Sequence, residues 1–254
     1  MTHARLLQVD GLVKRFGGLL ATDHARLEVL AGEVHALIGP NGAGKTTLIH
    51  LISGAVQPDA GRVLFDGIDI GPMAMPARVA HGLARSYQIT SIFQRLSVLD
   101  NVALSVQAHA GNSLNAWHPA RRDRERYGLA AEVVERVGLG HRMQRLAATL
   151  SHGEQRQLEL GLALATRPKL LLLDEPMAGM GPEESERMID LLQSLRGETT
   201  LLLVEHDMDA VFRLADRISV LVYGRVIVSG TPDQIRSHPE VQAAYLGDEA
   251  GAIS

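Results

Sequence analysis

The chain of 254 residues carries 25 Lys and Arg against 29 Asp and Glu, a net charge of −4, and 46% of its residues are hydrophobic. This composition is typical of a soluble globular protein and offers no general basic surface for nucleic acid. The absence of cysteine excludes disulfides, cysteine-ligated zinc and a thiol nucleophile. The first residues lack the apolar core of a signal peptide, and no apolar run approaches the roughly 18 residues that span a bilayer. We therefore expect a cytoplasmic protein that reaches a membrane only through a partner.

The first part of the chain predicts strands and one helix. In the first 38 residues, LLQVDGLV alternates between apolar and polar residues, and EVHALI at 33–38 is a short apolar run that ends at glycine. A helix is expected over about 45–53. GRVLFDG at 61–67 predicts a further strand between glycine turns.

The middle of the chain, over about 89–165, changes to helical patterns, with AGNSLNAWHPA as a loop between them. After it, strands and helices alternate again. Strands are expected over 169–175, 199–207 and 217–224, and helices over 183–195 and 208–214. This order predicts an α/β layer with an inserted helical block, followed by a short tail after Gly230.

The segment GPNGAGKTT matches the pattern G-x-x-x-x-G-K-[ST] between a predicted strand and a predicted helix, which is the context of a P-loop. Its glycines let backbone N–H groups curl around phosphate oxygens, and the helix N-terminus adds its dipole. Lys45 is expected to reach the β- and γ-phosphates, and Thr46 to ligate Mg²⁺. The expected phosphate-binding residues are Gly39, Pro40, Asn41, Gly42, Ala43, Gly44, Lys45, Thr46 and Thr47.

Two later strand ends carry polar side chains that suit the same chemistry. LLLLDEP at 170–176 is an apolar strand that ends in two carboxylates. We expect Asp174 to hold Mg²⁺ opposite the P-loop and Glu175 to polarise the attacking water. LLLVEHD at 201–207 contains His206, which is expected to contact the γ-phosphate or orient the nucleophile, with a structural histidine as the alternative.

Gln88 lies at the edge of a predicted strand in ARSYQITSIF. Its neutral amide is a candidate ligand for Mg²⁺ or water. Through Gln88, binding of that ion or water would be transmitted to a partner surface. Much later, LSHGEQ at 150–155 opens an apolar helical run. Ser151 is expected to be the N-cap of that helix, and the free N–H groups at the same turn are also suited to a phosphate.

Taken together and in this order, the P-loop, Gln88, LSHGE, LLLLDE and His206 resemble the ATPases of ATP-binding cassette (ABC) transporters over essentially the whole chain. The resemblance implies an α/β P-loop NTPase fold of ABC type, with a RecA-like core, an antiparallel β subdomain and an inserted helical subdomain. It implies one ABC ATPase domain over 1–254. Within it, the nucleotide-binding core takes 1–88 and 166–230, the helical subdomain 89–165, and a helical tail 231–254.

The resemblance also assigns roles to single residues. It implies that Phe16 stacks on adenine, with packing in the core as the alternative. It implies a head-to-tail pair of ATPase subunits, in which Ser151 and Gly153 of one cover the γ-phosphate held by the other. It supports ATP and Mg²⁺ as the ligands. The expected catalytic residues are Glu175, His206 and Gln88, and the expected metal ligands are Thr46, Gln88 and Asp174.

Phrases such as TSIFQRLSVLDNV, DEPMAGMGPEE and VQAAYLG resemble, more narrowly, the ATPases of branched-chain amino acid importers. The implied partners are integral-membrane permease subunits, which bind in a groove around Gln88, Ile92 and Phe93. A second ATPase subunit, identical or related, is also implied. A periplasmic or extracellular substrate-binding protein would be an indirect partner. The implied location is the cytoplasmic face of the inner (plasma) membrane. No nucleic-acid partner is expected.

Other functions remain open at this point. One is a urea or short-amide importer ATPase, another is a non-transport ABC ATPase acting on nucleic acid, and a third is an unrelated P-loop kinase or GTPase, which would leave LSHGE unexplained. The chain also departs from the family pattern. His152 and Glu154 stand where the signature LSGGQ has Gly and Gln, and Gly181 stands where Asp is common. His152 either fills space or adds a titratable group at the dimer interface.

Overall fold

The computed structural model describes residues 4–86, 92–109 and 120–242. Within these ranges the strands are β1 (Arg5–Phe16), β2 (Leu19–Leu30), β3 (Val34–Ile38), β4 (Ala60–Phe65), β5 (Ile68–Asp69), β6 (Leu83–Arg85), β7 (Leu170–Asp174), β8 (Thr200–Val204), β9 (Arg217–Val222) and β10 (Arg225–Gly230). The α-helices are α1 (Lys45–Ser53), α2 (Met75–Ala80), α3 (Val98–His109), α4 (Ala120–Arg136), α5 (His152–Leu164), α6 (Pro182–Ser194), α7 (Met208–Leu214) and α8 (Pro232–Arg236).

The strands form two sheets. The smaller sheet is antiparallel, with the order β2-β1-β4-β5, and the larger has the order β10-β9-β3-β8-β7-β6. In the larger sheet all neighbours are parallel except β10, which runs antiparallel to β9. The carboxyl ends of β3, β7 and β8 therefore meet at one edge, where ligands of open α/β sheets bind.

The core lies on both faces of the larger sheet. Every residue of β3, β7 and β8 is buried, as expected of parallel strands with both faces covered. Successive leucines of β7 point to opposite faces. Leu170 and Leu172 join the hydrophobic cluster that contains α1 and the smaller sheet, whereas Leu171 and Leu173 join the cluster that contains residues of α3 to α7.

The inserted part of the chain is helical, as predicted. Helices α3, α4 and α5 pack together through apolar residues such as Val102, Val134 and Leu158. Two short 3-10 turns, Gly140–Arg142 and Ala147–Thr149, lead from α4 to α5. The predicted α/β architecture with a helical block is therefore confirmed.

The predicted element bounds hold closely for α1 and α7 and less well for two strands. Strand β7 ends at Asp174, because Glu175 adopts a left-handed backbone with φ 51°. Strand β8 ends at Val204, because Asp207 already serves as the N-cap of α7. His206 thus lies in a turn and not at the end of a strand. The sequence pattern did not predict α2 or β10.

Two further expectations concern segments around the inserted block. Gln88 and most of the expected loop AGNSLNAWHPA lie outside the described residues. Ile92 is buried in the core, whereas Phe93 is 60% exposed, so only Phe93 of this pair is available to a partner surface. In the described part of the chain, no helix has the length and apolar character needed to cross a membrane.

A fully buried arginine closes the C-terminal end of α1. The guanidinium of Arg78 donates to the carbonyl oxygens of Leu51 (2.9 Å) and Ile52 (2.7 Å), and also to those of Met73 (3.0 Å) and Gly71 (2.9 Å). Burial lowers the pKa of Arg78. These bonds satisfy the last carbonyls of the helix and place a cation at its negative end.

Replacing Arg78 by Met should lower the free energy of unfolding by about 2–4 kcal/mol, because buried carbonyls lose their donors. Denaturant unfolding measures this change. Arg5→Met is the control, since Arg5 forms an exposed ion pair with Glu28, and its effect should stay within about 1 kcal/mol. Equal stability of the two variants would show that Arg78 does not hold α1.

Candidate active site

A cavity of about 410 Å³ opens at the carboxyl edge of the larger sheet. We call it the P-loop cavity. Its walls are residues 41–47 after β3, residues 19–21 of β2, the side chains of Glu175 and His206, and the β9–β10 turn. A volume of this size suits a small-molecule ligand.

The P-loop needs glycine at two positions because other parts of the backbone approach it closely. A Cβ atom on Gly39 would lie 2.1 Å from the Leu221 carbonyl oxygen, and one on Gly44 would lie 2.3 Å from that of Ala21. Both glycines also have positive φ, 153° and 102°. The loop is thereby held against β9 and β2, with its N–H groups at the start of α1.

Lys45 lies beneath the loop and is buried. Its ammonium donates to the carbonyl oxygens of Gly39 (2.6 Å) and Pro40 (3.0 Å). Burial lowers the pKa of Lys45, and the carboxylates of Glu175 and Asp174 act in the opposite direction. The structure thus brings together the cation and the two acidic residues that the sequence placed 129 and 130 positions apart (174 − 45 and 175 − 45).

Asp174 is buried and pairs on one side only. Its Oδ2 accepts from Nη2 of Arg85 at 3.1 Å, whereas its Oδ1 has no hydrogen-bond partner among the described residues. Burial raises the pKa of Asp174, and Arg85 opposes that rise. A buried carboxylate oxygen without a donor suits a cation ligand. Thr46, the other predicted metal ligand in the described residues, is exposed and lines the P-loop cavity.

Glu175 and His206 meet directly at the cavity wall. The imidazole Nε2 of His206 and the Oε1 of Glu175 share a hydrogen bond of 2.5 Å. The N–H of Glu175 donates to the carbonyl of Val204 at 2.9 Å, which ties its left-handed turn to β8. Both side chains remain accessible to a molecule in the P-loop cavity. A carboxylate oriented in this way is suited to polarise a water molecule.

Ser151 is the N-cap of α5, as predicted. Its hydroxyl accepts from the N–H of Glu154 (3.2 Å), and the Glu154 carboxylate accepts from the N–H of Ser151 (2.9 Å), which is a complete capping box. The Ser151 hydroxyl also donates to Glu184 at 3.0 Å. Ser151 and Gly153 line a separate cavity of about 230 Å³, the signature cavity, which shares no lining residue with the P-loop cavity.

Phe16 lies at the end of β1, paired across the hairpin with Leu19. The ring is 49% exposed, so the alternative of a core phenylalanine does not hold. The ammonium of Lys14 lies 5.6 Å from the ring centroid. Leu19 lines the P-loop cavity, so Phe16 stands beside this wall without forming part of it.

The sequence reading missed three residues around the site. Tyr223 is 87% exposed with φ 47° and lines the P-loop cavity, but nothing in the sequence around it signals a site. Arg85 lies close before Gln88 and pairs with Asp174. Glu205, in LLLVEHD, is an acid at the end of an apolar strand, which is the same signal that predicts a role for Asp174.

Comparisons with known proteins agree with this geometry. The family model for the ABC transporter matches residues 22–178, and that for the branched-chain amino acid ATP-binding cassette transporter matches 225–251. The chain is 39% identical over 250 residues to the high-affinity branched-chain amino acid transport ATP-binding proteins BraF of Pseudomonas aeruginosa and LivG of Escherichia coli. These alignments cover 96% of this chain and 98% of each relative.

Solved structures of ABC transporter components are also similar to this chain. The ADP conformation of an ATP-binding cassette of an ABC transporter is 31% identical, with a TM-score of 0.84 over 96% of this chain and 99% of that one. The structure of cbiO1 from Clostridium perfringens, part of an ABC transporter complex, is 26% identical, with a TM-score of 0.80 over 96% and 99% of the two chains. The likeness therefore extends over nearly the whole chain.

Replacing Gly44 by Ala should displace the P-loop, because the new Cβ would lie 2.3 Å from a backbone oxygen at an unfavourable φ. We expect about 1–3 kcal/mol of lost stability and a roughly tenfold weaker affinity for ATP. Chemical denaturation and titration calorimetry measure the two effects. Gly18→Ala is the matched control, since among the described residues no atom beyond its chain neighbours lies within 4 Å of its added Cβ. Undiminished ATP affinity in Gly44→Ala would contradict the loop geometry.

Proposed function

The chain belongs to the ATP-binding proteins of ABC transporters, and on that premise we propose that it binds ATP with Mg²⁺ and hydrolyses it to power an importer of branched-chain amino acids. The observation that carries this proposal is the arrangement of the P-loop cavity. Lys45 and the Glu175–His206 contact line this cavity. Asp174, paired with Arg85, does not line it, but it lies at the end of β7 and acts electrostatically on Lys45.

Each part of the cavity has a role in this proposal. Loop N–H groups and Lys45 bind the phosphates of ATP, in the manner of P-loops generally. Thr46 and Asp174 are the residues that would hold Mg²⁺, which neutralises phosphate charge when bound. One or two protein oxygens together with nucleotide phosphates suffice for this ion. Gln88, outside the described residues, is proposed as a further ligand, and Phe16 as the aromatic that stacks on adenine.

Hydrolysis depends on Glu175 and His206. Glu175 accepts a hydrogen bond from the attacking water and takes up its proton as the water oxygen bonds to the γ-phosphorus. The bond from the γ-phosphorus to the β–γ bridging oxygen breaks in the same step, and ADP leaves with phosphate as the second product. His206 holds the Glu175 carboxylate through the 2.5 Å contact and keeps it at the cavity wall. Such an arrangement contributes by positioning and by charge, which is the main source of catalysis in phosphoryl transfer.

A second ATPase subunit completes the site in this proposal. The signature cavity with Ser151 and Gly153 is separate from the P-loop cavity of the same chain. In a head-to-tail pair, identical or related, these residues of one subunit would cover the γ-phosphate bound by the other. ATP binding then closes the pair, and hydrolysis reopens it, which converts chemistry into two conformational states.

The partner in the membrane is proposed to dock between the nucleotide-binding core and the helical subdomain. A largely apolar cavity of about 210 Å³ lies there, the groove cavity, with Met75 and Val79 of α2 on one side and Leu162 of α5 on the other. Phe93 is exposed in the helical part and adds apolar surface. Permease subunits in this groove would hold the chain at the cytoplasmic face of the membrane. A substrate-binding protein would act through them.

In the proposed function the chain is a single ABC ATPase domain over 1–254, with the subdomain bounds predicted from the sequence. Residues 1–88 and 166–230 form the nucleotide-binding core, 89–165 the helical subdomain and 231–254 the tail. The match of residues 225–251 to the branched-chain model supports the proposed substrate over a urea or short-amide alternative. The named relatives BraF and LivG point to the same substrate class.

Replacing Glu175 by Gln should reduce ATP turnover by about 10²-fold or more and leave ATP affinity unchanged, because the amide keeps the shape but cannot take up the proton. Lys45→Ala should instead weaken ATP binding itself. Steady-state ATPase assays and a fluorescent-nucleotide titration separate the two effects. Glu183→Gln, an exposed acid on α6, is the control. Turnover by Glu175→Gln at the wild-type rate would show that Glu175 is not the base.

Affinity capture of the tagged chain from membranes should co-purify integral-membrane permease subunits. Phe93→Asp should reduce that capture at least several-fold, because a charge would be buried against an apolar partner. Ile68→Asp is the control, since Ile68 is similarly exposed, at 46%, on β5. Vesicles holding the captured complex and its binding protein should take up leucine in preference to urea. Capture of permeases by Phe93→Asp at the wild-type level would exclude Phe93 from the docking surface.

A further inference from the structure

A buried carboxylate that has no assigned role lies beside the Glu175–His206 contact. Glu205 follows β8 and is 5% exposed. Its Oε1 accepts from the N–H of Met177 at 3.0 Å, and its Oε2 accepts from the N–H of His206 at 3.1 Å. Burial raises the pKa of Glu205, and these two backbone hydrogen bonds oppose that rise. Both oxygens of this acid are thus used on backbone groups of the two turns that build the site.

The first turn is the one that presents Glu175. Its left-handed backbone, with φ 51°, is a conformation that residues other than glycine rarely adopt. Two backbone bonds hold the turn, from the N–H of Glu175 to Val204 (2.9 Å) and from the N–H of Ala178 to Glu175 (3.1 Å). The bond from Met177 to Glu205 is the third. Met177 is itself buried, so without Glu205 its N–H would lose its acceptor away from water.

The second turn is the one that presents His206. The Glu205 carboxylate fixes the N–H of His206, and the His206 imidazole in turn contacts Glu175 at 2.5 Å. The Glu205 carboxylate therefore links the turn that carries Glu175 to the turn that carries His206, through its hydrogen bonds to the N–H groups of Met177 and His206. Neither oxygen touches the P-loop cavity, since Glu205 does not line it.

We infer that Glu205 is a positioning residue for ATP hydrolysis: it locks the turns after β7 and β8 together and so sets the geometry of Glu175 and His206. This inference rests on the proposed function, because it assumes that Glu175 and His206 act on bound ATP. It assigns Glu205 an effect on turnover and none on nucleotide binding. A residue that only stabilised the fold would lower the melting temperature and leave turnover by the folded protein unchanged.

Two variants test the inference in the full-length chain. Glu205→Ala removes both acceptors and should lower kcat about tenfold or more, with KM and ATP affinity within about twofold of wild type. Glu205→Gln has one acceptor oxygen where the carboxylate has two, so one of the two N–H groups loses its partner. It should lower kcat several-fold and less than Ala does. Amide exchange measured by NMR should speed up at both Met177 and His206 in Glu205→Ala, and at one of the two in Glu205→Gln.

The matched control is Glu33→Gln. Glu33 is buried to 8% exposure and also accepts from a backbone N–H, that of Leu30 at 2.9 Å, and from His35 at 2.8 Å, in a turn remote from the cavity lining. Like Glu205→Gln, it removes a buried negative charge, but the amide oxygen can keep both contacts of Oε1, and kcat should stay at the wild-type value. If Glu205→Ala fails to fold, the comparison of kcat between Glu205→Gln and Glu33→Gln tests the inference.

The outcomes separate this inference from the proposed function. Wild-type kcat in the folded Glu205 variants, together with an inactive Glu175→Gln, would overturn the positioning role and leave the ATPase assignment standing. An equal loss of kcat in Glu205→Gln and Glu33→Gln would also overturn it, since general destabilisation would then explain both. An active Glu175→Gln would instead contradict the proposed chemistry. A graded loss of kcat from Gln to Ala, with unchanged ATP affinity, would support the inference.

Discussion

The parallel pairing of β3, β8 and β7 is the constraint on which the rest of this structure depends. Each of these strands is buried along its whole length, so most of their polar groups lie where a strand ends, with the hydrogen-bonded His35 inside β3 as an exception. Because the strands are parallel, all three ends face the same edge of the sheet. The P-loop, the pair Asp174–Glu175 and the pair Glu205–His206 are therefore neighbours although the chain places them far apart. No side-chain contact is needed to bring them together.

The charged groups at this edge of the sheet need partners, because Lys45, Asp174 and Glu205 are buried. Lys45 is held by carbonyl oxygens of its own loop and lies within the field of Glu175 and Asp174. Asp174 is compensated by Arg85, and Glu205 by two backbone N–H groups. An unpaired charge in this position would cost several kcal/mol. The site is accordingly a set of charged groups that compensate one another, and among the described residues the buried Oδ1 of Asp174 has no hydrogen-bond partner.

The signature segment, LSHGEQ at 150–155, is held by local hydrogen bonds at the start of α5. Its serine caps the start of α5 through a capping box, so two backbone N–H groups of this turn have acceptors within the chain. At the same time it faces a cavity of its own, apart from the P-loop cavity. A helix cap that is already satisfied can be presented to a second subunit without cost to its own fold. In the proposed pair, the two motifs of one chain would act on two different nucleotides, so they need not lie close together within the chain.

The sequence by itself determined the local features of this protein. The P-loop, helix α1, the capped start of α5 and the apolar strands β7 and β8 could all be read from it, because glycine conformation, capping side chains and apolar runs act over a few residues. The tertiary structure alone decided the contact of Glu175 with His206, the pairing of Arg85 with Asp174 across 89 positions, and the buried bridge of Glu205. These depend on the order of strands in the sheet and on the direction of each side chain at a strand end, and no local pattern encodes either.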